Sequence, residues 1–441
     1  MDPTSGVAHG AVVMAVLDAA LKAADPYLAV KNALEAQSEL FSQARNVYVV
    51  GAGKAGAAMA HAAEDVLGGR ITNGLVIVKE GHTDTGNRPL EHIFLREASH
   101  PVPDSRSIDA TSELLKIAEE AGENDLVLCL ISGGASSLLT ALATNITLAD
   151  IQDVTGLLLR SGATINELNA VRKHLSRVSG GQLARMASPA RVLSLILSDV
   201  TGSPLDVIGS GPTAPDPTTF GEALAILDRY GLLNQVPRSV SVRLLKGTQG
   251  NIAETPKPDD SLFEKVSNLL VASNVIAVEA AASRACELGL NSIVISTYVE
   301  GEAREVGTVL AAMAKEVAYH NRPLKKPACL LFGGETTVTV RGTGRGGRNT
   351  ELALSAALAL DKMGEDIVIA SLATDGGDGS GPCAGAVVDG TTIDKARDLG
   401  LDAHQYLADN DSYTFLERLN STIKTGPTGT NVNDVMAVFV F

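Results

Sequence analysis

The chain has 441 residues, more than a single domain usually holds, so we expect two domains. A hydrophobic fraction of 45% and a charged fraction of 20% are typical of a globular enzyme, and a net charge of −15 argues against general nucleic-acid binding. The four cysteines are scattered, which excludes a disulfide or zinc framework. No signal peptide or membrane-spanning apolar run is visible, so we expect a cytoplasmic protein without a membrane partner.

Strand-like apolar runs alternate with helix-like stretches in the first half of the chain. Helices are predicted over 12–24, 28–40, 105–121 and 166–177, and strands over 46–50, 75–78, 126–131 and 192–197. The composition then turns polar and proline-containing between 247 and 261, which predicts a linker between two domains.

The alternation restarts beyond this segment. Strands are predicted over 269–272, 292–296, 328–332, 336–340, 367–372 and 435–440, and helices over 275–288 and 302–319. Repeated strand–loop–helix units predict an α/β protein with parallel or mixed sheets. We therefore expect two α/β domains, 1–246 and 262–441, with the active site in the cleft between them and ligands at the carboxyl ends of the strands.

The first glycine-rich turn reads GAGKAG and follows a predicted strand. The pattern GxGxxG is a weak signal by itself, because plain strand–helix turns also contain it. Lys54 lies inside the turn, where a phosphate would lie, and it can neutralise charge that develops during phosphoryl transfer. We predict that Gly51, Gly53 and Lys54 contact a ligand; the alternative is a plain turn with an exposed lysine.

A second turn of small residues, SGGASS, begins at Ser132. Backbone N–H groups and hydroxyls at such a turn form an anion-binding nest. We therefore predict that Ser132, Gly133, Gly134 and Ser136 bind an anion. The alternative is a tight turn that packs against neighbouring backbone.

A basic helix follows the second turn. Asn169, Lys173 and Arg177 are four residues apart and so share one helix face, which we predict to contact substrate or phosphate through Asn169 and Lys173. The alternative is a solvated face.

The loop after 336–340 reads RGTGRGGRN, with three arginines among four glycines. It leads into a helix for which Asn349 and Thr350 are good N-cap residues. Guanidinium groups bind carboxylates and phosphates in a bidentate manner, so we predict an anion site at Arg345 and Arg348. We expect Arg341 to be merely solvated.

Three carboxylates follow apolar strands and are predicted to hold Mg²⁺ together with substrate phosphates: Asp199, Glu335 and Asp375. Asp199 is also a candidate general base. For Asp378 we expect an Asx turn. Calcium is the alternative to Mg²⁺ for the loop at 373–381, although this loop lacks the pattern of an EF-hand. The histidines between 82 and 100 lack metal-ligand spacing and are predicted to be loop or core residues.

Six motifs together resemble a known family: VVGAGKAG, LISGGASSLL, LNAVRKHLSRVSGGQLA, LSDVTGSPLDVIGSGPTAPDPTT, GGETTVTVRGTGRGGRNTELAL and ATDGGDGSGPCAGAVVDG. They are similar to the class II glycerate kinases, whose C-terminal part, here about 328–441, is the MOFRL domain. The resemblance implies phosphorylation of D-glycerate that depends on ATP and Mg²⁺, with 2-phosphoglycerate favoured over 3-phosphoglycerate. It also implies a Rossmann-like first domain, and active-site residues at Lys54 and Arg348.

For the activity that this resemblance implies, we expect Arg348 or Arg345 to bind the carboxylate of glycerate in a bidentate manner. Lys54 is expected to stabilise the transferred phosphoryl group, and an aspartate such as Asp199 to accept the hydroxyl proton. Because family members have also been called hydroxypyruvate reductases, NAD(P)H-dependent reduction stays the alternative. A non-catalytic sensor is a third interpretation. The expected partners are the small-molecule substrates, and a homodimer is left open.

Overall fold

The computed structural model describes residues 5–83 and 89–441, and this part of the chain divides into two compact units. The continuous unit is Pro26–Val271. The split unit combines the chain up to Asp25 with Ala272–Phe441. The N-terminal helix therefore groups with the C-terminal part of the chain and not with the residues that follow it directly.

Four of the twelve strands in the described part of the chain are short apolar runs with every residue buried, which is the pattern of central strands covered on both faces. In chain order the strands of the described residues are β1 (Val47–Ala52), β2 (Ile71–Lys79), β3 (Ile93–Ala98), β4 (Leu126–Ile131), β5 (Arg191–Leu197), β6 (Val266–Ala272), β7 (Asn291–Val299), β8 (Ala328–Gly334), β9 (Gly364–Ala373), β10 (Gly385–Gly390), β11 (Thr422–Ile423) and β12 (Asp434–Val440).

Several helices begin at a capping box, in which a Thr or Asp side chain and the side chain three residues later each accept a backbone N–H. In chain order the helices are α1 (Ser5–Ala23), α2 (Pro26–Ala36), α3 (Ser38–Gln43), α4 (Gly56–Leu67), α5 (Ser105–Glu119), α6 (Ala135–Leu138), α7 (Leu148–Arg160), α8 (Ile165–His174), α9 (Gln182–Ala187), α10 (Phe220–Arg229), α11 (Arg238–Thr248), α12 (Asn274–Glu287), α13 (Ala303–His320), α14 (Arg348–Ala359), α15 (Thr392–Asp398), α16 (Ala403–Ala408) and α17 (Ser412–Arg418).

The sheet of the continuous unit has the strand order β3-β2-β1-β4-β5-β6. β1 lies parallel to β2 and β4, β2 to β3, and β4 to β5. The chain moves outward from β1 to β3 and then crosses to β4 on the other side, so the order reverses between β1 and β4. In doubly wound sheets ligands bind at the carboxyl ends of the strands at such a switch point.

The sheet of the split unit is mixed, with the order β11-β10-β9-β12-β8-β7. β7 and β8 are parallel, whereas β12 lies antiparallel between β8 and β9. The start of β12 therefore meets the ends of β8 and β9: Asp434 is paired with Gly334 and with Ala373. The prediction of an α/β fold with parallel and mixed sheets is confirmed.

Three strands were missed, and one predicted strand is absent. β3, β10 and β11 were not predicted, because they are short, partly exposed or bounded by glycine. The run at 336–340 alternates like a strand, but among the described residues it forms only a single bridge, between Thr337 and Glu302. Asn349 and Thr350 lie inside the first turn of α14, and its N-cap is Gly347.

The segment at 247–261 is anchored to the continuous unit. Glu254 accepts a hydrogen bond from the Phe220 N–H at 2.9 Å and contacts the His174 ring at 3.2 Å. The Thr255 hydroxyl donates to Asp216 at 2.9 Å and is buried. The segment is thus part of a unit, and the units divide at Asp25 and at Val271.

Candidate functional site

The turn between β1 and α4 packs directly against the turn after β4. A Cβ atom on Gly53 would lie 2.0 Å from the Ser132 hydroxyl oxygen, and its φ of +144° also favours glycine. A Cβ atom on Gly51 would lie 2.3 Å from the Leu130 carbonyl oxygen. Both glycines are therefore required by the close approach of Ser132 and Leu130, whether or not the turn also contacts a ligand.

Lys54 lies at the switch point of the sheet. Its backbone N–H donates to the Gly133 carbonyl at 2.9 Å, which joins the turns after β1 and β4. Its side-chain Cγ lies 3.5 Å from the position that a Cβ atom on Gly134 would take. Within residues 5–83 and 89–441 no carboxylate forms an ion pair with the Lys54 ammonium group. The ammonium group is thus placed beside the second turn and available to an anion.

The second turn offers backbone donors more than hydroxyls. The Ser132 hydroxyl accepts the Ala55 N–H at 3.1 Å, and the Ser136 hydroxyl accepts a hydrogen bond from Ser210 at 3.1 Å. In the described part of the chain the N–H groups of Gly133 and Gly134 have no acceptor. The predicted nest is therefore represented by these two N–H groups, while the Ser132 hydroxyl helps to hold the first turn.

His100 and Asp199 border the second turn. A Cβ atom on Gly134, whose φ is +87°, would lie 2.9 Å from the His100 ring, and one on Gly133 would lie 2.1 Å from the Asp199 carboxylate. Burial and the nearby Lys54 lower the pKa of His100 below its usual value, so the ring is neutral at neutral pH. Sequence reasoning missed His100 as a site residue, because it follows β3, a strand that was not predicted.

Lys173 and Asn169 face the interior. Lys173 is only 2% exposed, and its Nζ lies 3.2 Å from an Asp206 oxygen and 3.4 Å from an Asp216 oxygen. Burial alone would raise the Asp216 pKa, but Lys173 and Thr218 hold it below its usual value. The structure thus gives the Lys173 ammonium two internal partners, and the prediction that it contacts phosphate has no support from its position.

Asn169 is also buried, and its side-chain oxygen accepts a hydrogen bond from the Ser210 hydroxyl at 3.4 Å. The single hydroxyl hydrogen of Ser210 is shared between this oxygen and the nearer Ser136 hydroxyl at 3.1 Å, so Asn169 is joined to the second turn through one serine.

In the split unit Arg348 is held by two carboxylates. Its Nε and Nη2 donate to the two oxygens of Asp434 at 2.5 and 2.9 Å, and its Nη1 lies 3.0 Å from Glu335. Burial would lower the Arg348 pKa, but Asp434 and Glu335 raise it. Burial raises the pKa of Asp434 to about 6 in spite of Arg348. Asp434 was missed, because its partner lies far away in the sequence.

The bidentate edge of Arg348 predicted to clamp a substrate carboxylate is thus occupied by Asp434. One N–H on Nη1 and one on Nη2 have no acceptor in these contacts, so the outer edge of the guanidinium can still bind an oxyanion. Arg345 is exposed and stacks over the Tyr413 ring at 4.9 Å.

The predicted metal ligands have other contacts. Glu335 pairs with Arg348, and an Asp375 oxygen accepts the Gly377 N–H at 2.9 Å, which is an Asx turn. Asp378, for which an Asx turn was expected, is instead buried and accepts the N–H groups of Asn349 and Thr350. Among the described residues no group of three or more His, Cys, Asp or Glu side chains could hold a metal ion.

Comparison with known proteins gives matches over nearly the whole chain. Residues 12–245 match the model of a domain of unknown function, DUF4147, and residues 328–434 match the MOFRL family. A glycerate 2-kinase of Pyrococcus horikoshii is 42% identical over 96% of this chain and 95% of its own. In the described part of this chain no helix has the length and apolar character needed to cross a membrane.

The chain is also similar to a solved structure and to a relative with a different name. The crystal structure of a glycerate kinase from Thermotoga maritima matches with a TM-score of 0.89 at 42% identity, over 98% of this chain and 99% of that one. A relative from Agrobacterium vitis that is named a putative hydroxypyruvate reductase is 43% identical over 97% of this chain and 94% of its own.

Proposed function

Because the chain belongs to the glycerate kinase family with a C-terminal MOFRL domain, we propose that it transfers the terminal phosphoryl group of ATP to D-glycerate. We favour 2-phosphoglycerate as the product, in keeping with the name of the Pyrococcus relative. The observation that carries the proposal is the position of Lys54 at the switch point of the parallel sheet, beside the N–H groups of Gly133 and Gly134. Phosphate groups are bound by such combinations of a cation and convergent N–H donors.

Lys54 is suited to the transferred phosphoryl group. In phosphoryl transfer the protein mainly positions the reactants and stabilises charge on the equatorial oxygens. An ammonium group that has no ion pair within the described residues is available to attract these oxygens. The two glycine N–H groups add donors that need no reorganisation during the reaction.

Asp199 is our candidate for the proton acceptor. Its half-buried carboxylate follows β5 and lies against Gly133, at the same carboxyl-end edge of the sheet as Lys54. The hydroxyl oxygen of glycerate forms a bond to the terminal phosphorus, the bond from phosphorus to the leaving oxygen of ADP breaks, and the hydroxyl proton passes to Asp199.

Mg²⁺ bound mainly through substrate phosphates needs only one or two protein carboxylates, and of the three predicted ligands Asp199 is the one that lies against the second turn, at Gly133. When bound, the ion would neutralise charge on the phosphates of ATP.

Arg348 is proposed to bind a phosphate oxygen through its outer Nη1–Nη2 edge, while Asp434 fixes the orientation of the guanidinium. A fixed guanidinium loses little entropy when it binds, which favours a role in stabilising charge. The expectation that the site lies in a cleft between two domains stays a prediction.

The proposal is tested by replacing Lys54 with Met. We expect Lys54→Met to lower kcat for ADP release from MgATP and D-glycerate by at least about 100-fold, because the charge that stabilises the transferred group is lost. The exposed Lys116 on α5 provides the matched control, and Lys116→Met should keep wild-type turnover. The ³¹P NMR spectrum of the product distinguishes 2- from 3-phosphoglycerate.

Oxidation of NADH by hydroxypyruvate in the same preparation measures the alternative activity. A wild-type protein that oxidises NADH but releases no ADP would refute the kinase proposal. Full turnover of Lys54→Met would refute the role of Lys54 alone.

A further inference from the structure

Arg172 on α8 is a largely buried cation that has no counterion among the described residues. Its Nη2 donates to the Ser136 carbonyl oxygen at 3.2 Å, and this is its only protein acceptor within residues 5–83 and 89–441. Burial lowers the pKa of the guanidinium, which nevertheless stays charged at neutral pH. The next residue, Lys173, is also buried but has two aspartate partners. Burying a charge without a partner costs free energy, so the difference between Arg172 and Lys173 needs a physical reason.

Arg172 lines a small cavity with five hydroxyl-bearing residues, which are Ser136, Thr140, Ser176, Ser179 and Ser210. The volume of the cavity is about 30 Å³. A single water molecule needs about 10–15 Å³ by the same measure, so the cavity has room for roughly two oxygen-sized atoms. The remaining wall is mainly apolar, with Leu139 and Leu142 among its residues.

The hydroxyls leave hydrogen-bond donors available around this cavity. Ser136 accepts a hydrogen bond from Ser210, and Ser176 accepts the N–H groups of Val178 and Ser179 at 3.1 Å each. Within the described residues neither the Ser136 hydroxyl nor the Ser176 hydroxyl has an acceptor for its own hydrogen. One guanidinium and two O–H donors therefore surround a space without a carboxylate in its lining.

This arrangement complements a small oxyanion. A cation would be repelled by Arg172, and a neutral ligand would leave the buried charge uncompensated. The planar guanidinium matches a carboxylate, whose two oxygens correspond to the room that the cavity offers. The chemistry therefore favours a carboxylate.

We propose that Arg172, with the hydroxyls of Ser136 and Ser176, binds the carboxylate of the acceptor substrate, an inference that rests on the proposed function. Ser136 belongs to the same turn as Gly133 and Gly134, and Gly133 is hydrogen-bonded to Lys54. A three-carbon acid held by its carboxylate at Arg172 therefore lies beside the turn that contains Ser136. The assignment leaves Arg348 for phosphate oxygens and makes Arg172 the residue that selects for an acid.

The test compares D-glycerate with its neutral amide, D-glyceramide, as acceptors. For Arg172→Gln we expect kcat/KM with D-glycerate to fall about 10- to 100-fold, as is typical when a charged hydrogen-bond partner is lost. The value with D-glyceramide and the KM for ATP should stay near wild type, so the preference for the acid is lost. The control Arg160→Gln changes an exposed arginine on α7 and should leave all three values unchanged.

Arg172→Lys provides a second variant that keeps the positive charge. It should raise the KM for D-glycerate at least several-fold, because a point charge cannot replace the fork of the guanidinium. If Arg172→Gln does not fold, this variant decides the question, and an unchanged KM would overturn the inference.

Three further outcomes would contradict the inference or the proposed function. An undiminished preference for glycerate over glyceramide in Arg172→Gln would overturn the inference, even if activity falls. Competition by inorganic phosphate that is lost in Arg172→Gln, with the preference retained, would show that a phosphate occupies the cavity instead. A wild-type protein that does not phosphorylate glycerate would refute the proposed function itself, and both would then fall.

Discussion

At the scale of single residues, Asp434 is the strongest candidate for a residue that affects the site indirectly, by orienting Arg348. It is 1% exposed and fixes Arg348 by two hydrogen bonds, whereas Glu335, which pairs with the same guanidinium, is 45% exposed. Asp434→Asn replaces an acceptor by an N–H₂ group that faces the donors of Arg348. We expect it to lower the free energy of unfolding by about 3–5 kcal/mol, as the loss of one partner of a buried pair does.

Glu335→Gln is the matched control for this prediction. Because the pair is half exposed, its loss should cost no more than about 1 kcal/mol. Urea unfolding of both variants at neutral pH measures the difference. Small and equal losses of unfolding free energy in the two variants would show that Asp434 does not fix the orientation of Arg348.

Single residues were predictable from the sequence where local chain geometry places them. Lys54 was located because a turn after an apolar strand puts it at a strand end, and the structure places it there. Two features could not be predicted in this way: the contact of Asp434 with Arg348, and the absence of a counterion for Arg172 in the described part of the chain. Both depend on which side chains meet after folding, and Asp434 is separated from Arg348 by 86 positions.

At the scale of elements, the N-terminus of α14 is capped by a side chain from another loop. Asp378 accepts the N–H groups of Asn349 and Thr350 at 2.9 Å each and the Thr350 hydroxyl at 2.7 Å. Because α14 begins at Arg348, this cap also fixes the start of the helix that carries the guanidinium. We expect Asp378→Ala to lower the free energy of unfolding by about 1–2 kcal/mol and to reduce kcat as well.

Asp402 offers a control with a similar cap and no link to the site. It caps the exposed start of α16 by accepting the N–H groups of His404 and Gln405. Asp402→Ala should cost a similar free energy of unfolding but leave kcat unchanged. If both variants keep wild-type kcat, the cap on α14 stabilises the helix without serving the site.

Element type could be predicted wherever the apolar pattern is strong. The buried runs of β1, β4, β8 and β12 were all predicted as strands. β3 was missed, because Arg96 and Glu97 interrupt its apolar pattern. The run at 336–340 has the alternation of a strand but lacks a neighbour along its length, and a strand without a pairing partner does not form.

At the scale of the whole molecule, the order of the chain does not give the grouping of its units. α1 precedes the continuous unit in the sequence but belongs to the split unit, where it packs against α12. Its buried face of Val13, Val16 and Leu17 reads as an amphipathic helix in the sequence. The pattern shows that this face must be covered, but it contains no information on which later helix covers it.

This grouping predicts which unit a change in α1 destabilises. Leu17 on α1 and Leu34 on α2 are both fully buried leucines. Leu17→Ala should lower the stability of the split unit by about 2–5 kcal/mol through the cavity it leaves, and Leu34→Ala should do the same to the continuous unit. The bond from the Thr430 hydroxyl to the Ala24 carbonyl, at 2.6 Å, adds a second link between the end of α1 and the C-terminal part of the chain.

Hydrogen exchange followed by mass spectrometry separates the two outcomes, because local stability is measured peptide by peptide. In Leu17→Ala the protection of peptides from 272–441 should fall, while peptides from 26–271 keep theirs. In Leu34→Ala the pattern should be reversed. Loss of protection at 26–271 in Leu17→Ala would mean that the helix stabilises the unit that follows it, and that the chain folds in two consecutive segments, as its sequence first suggests.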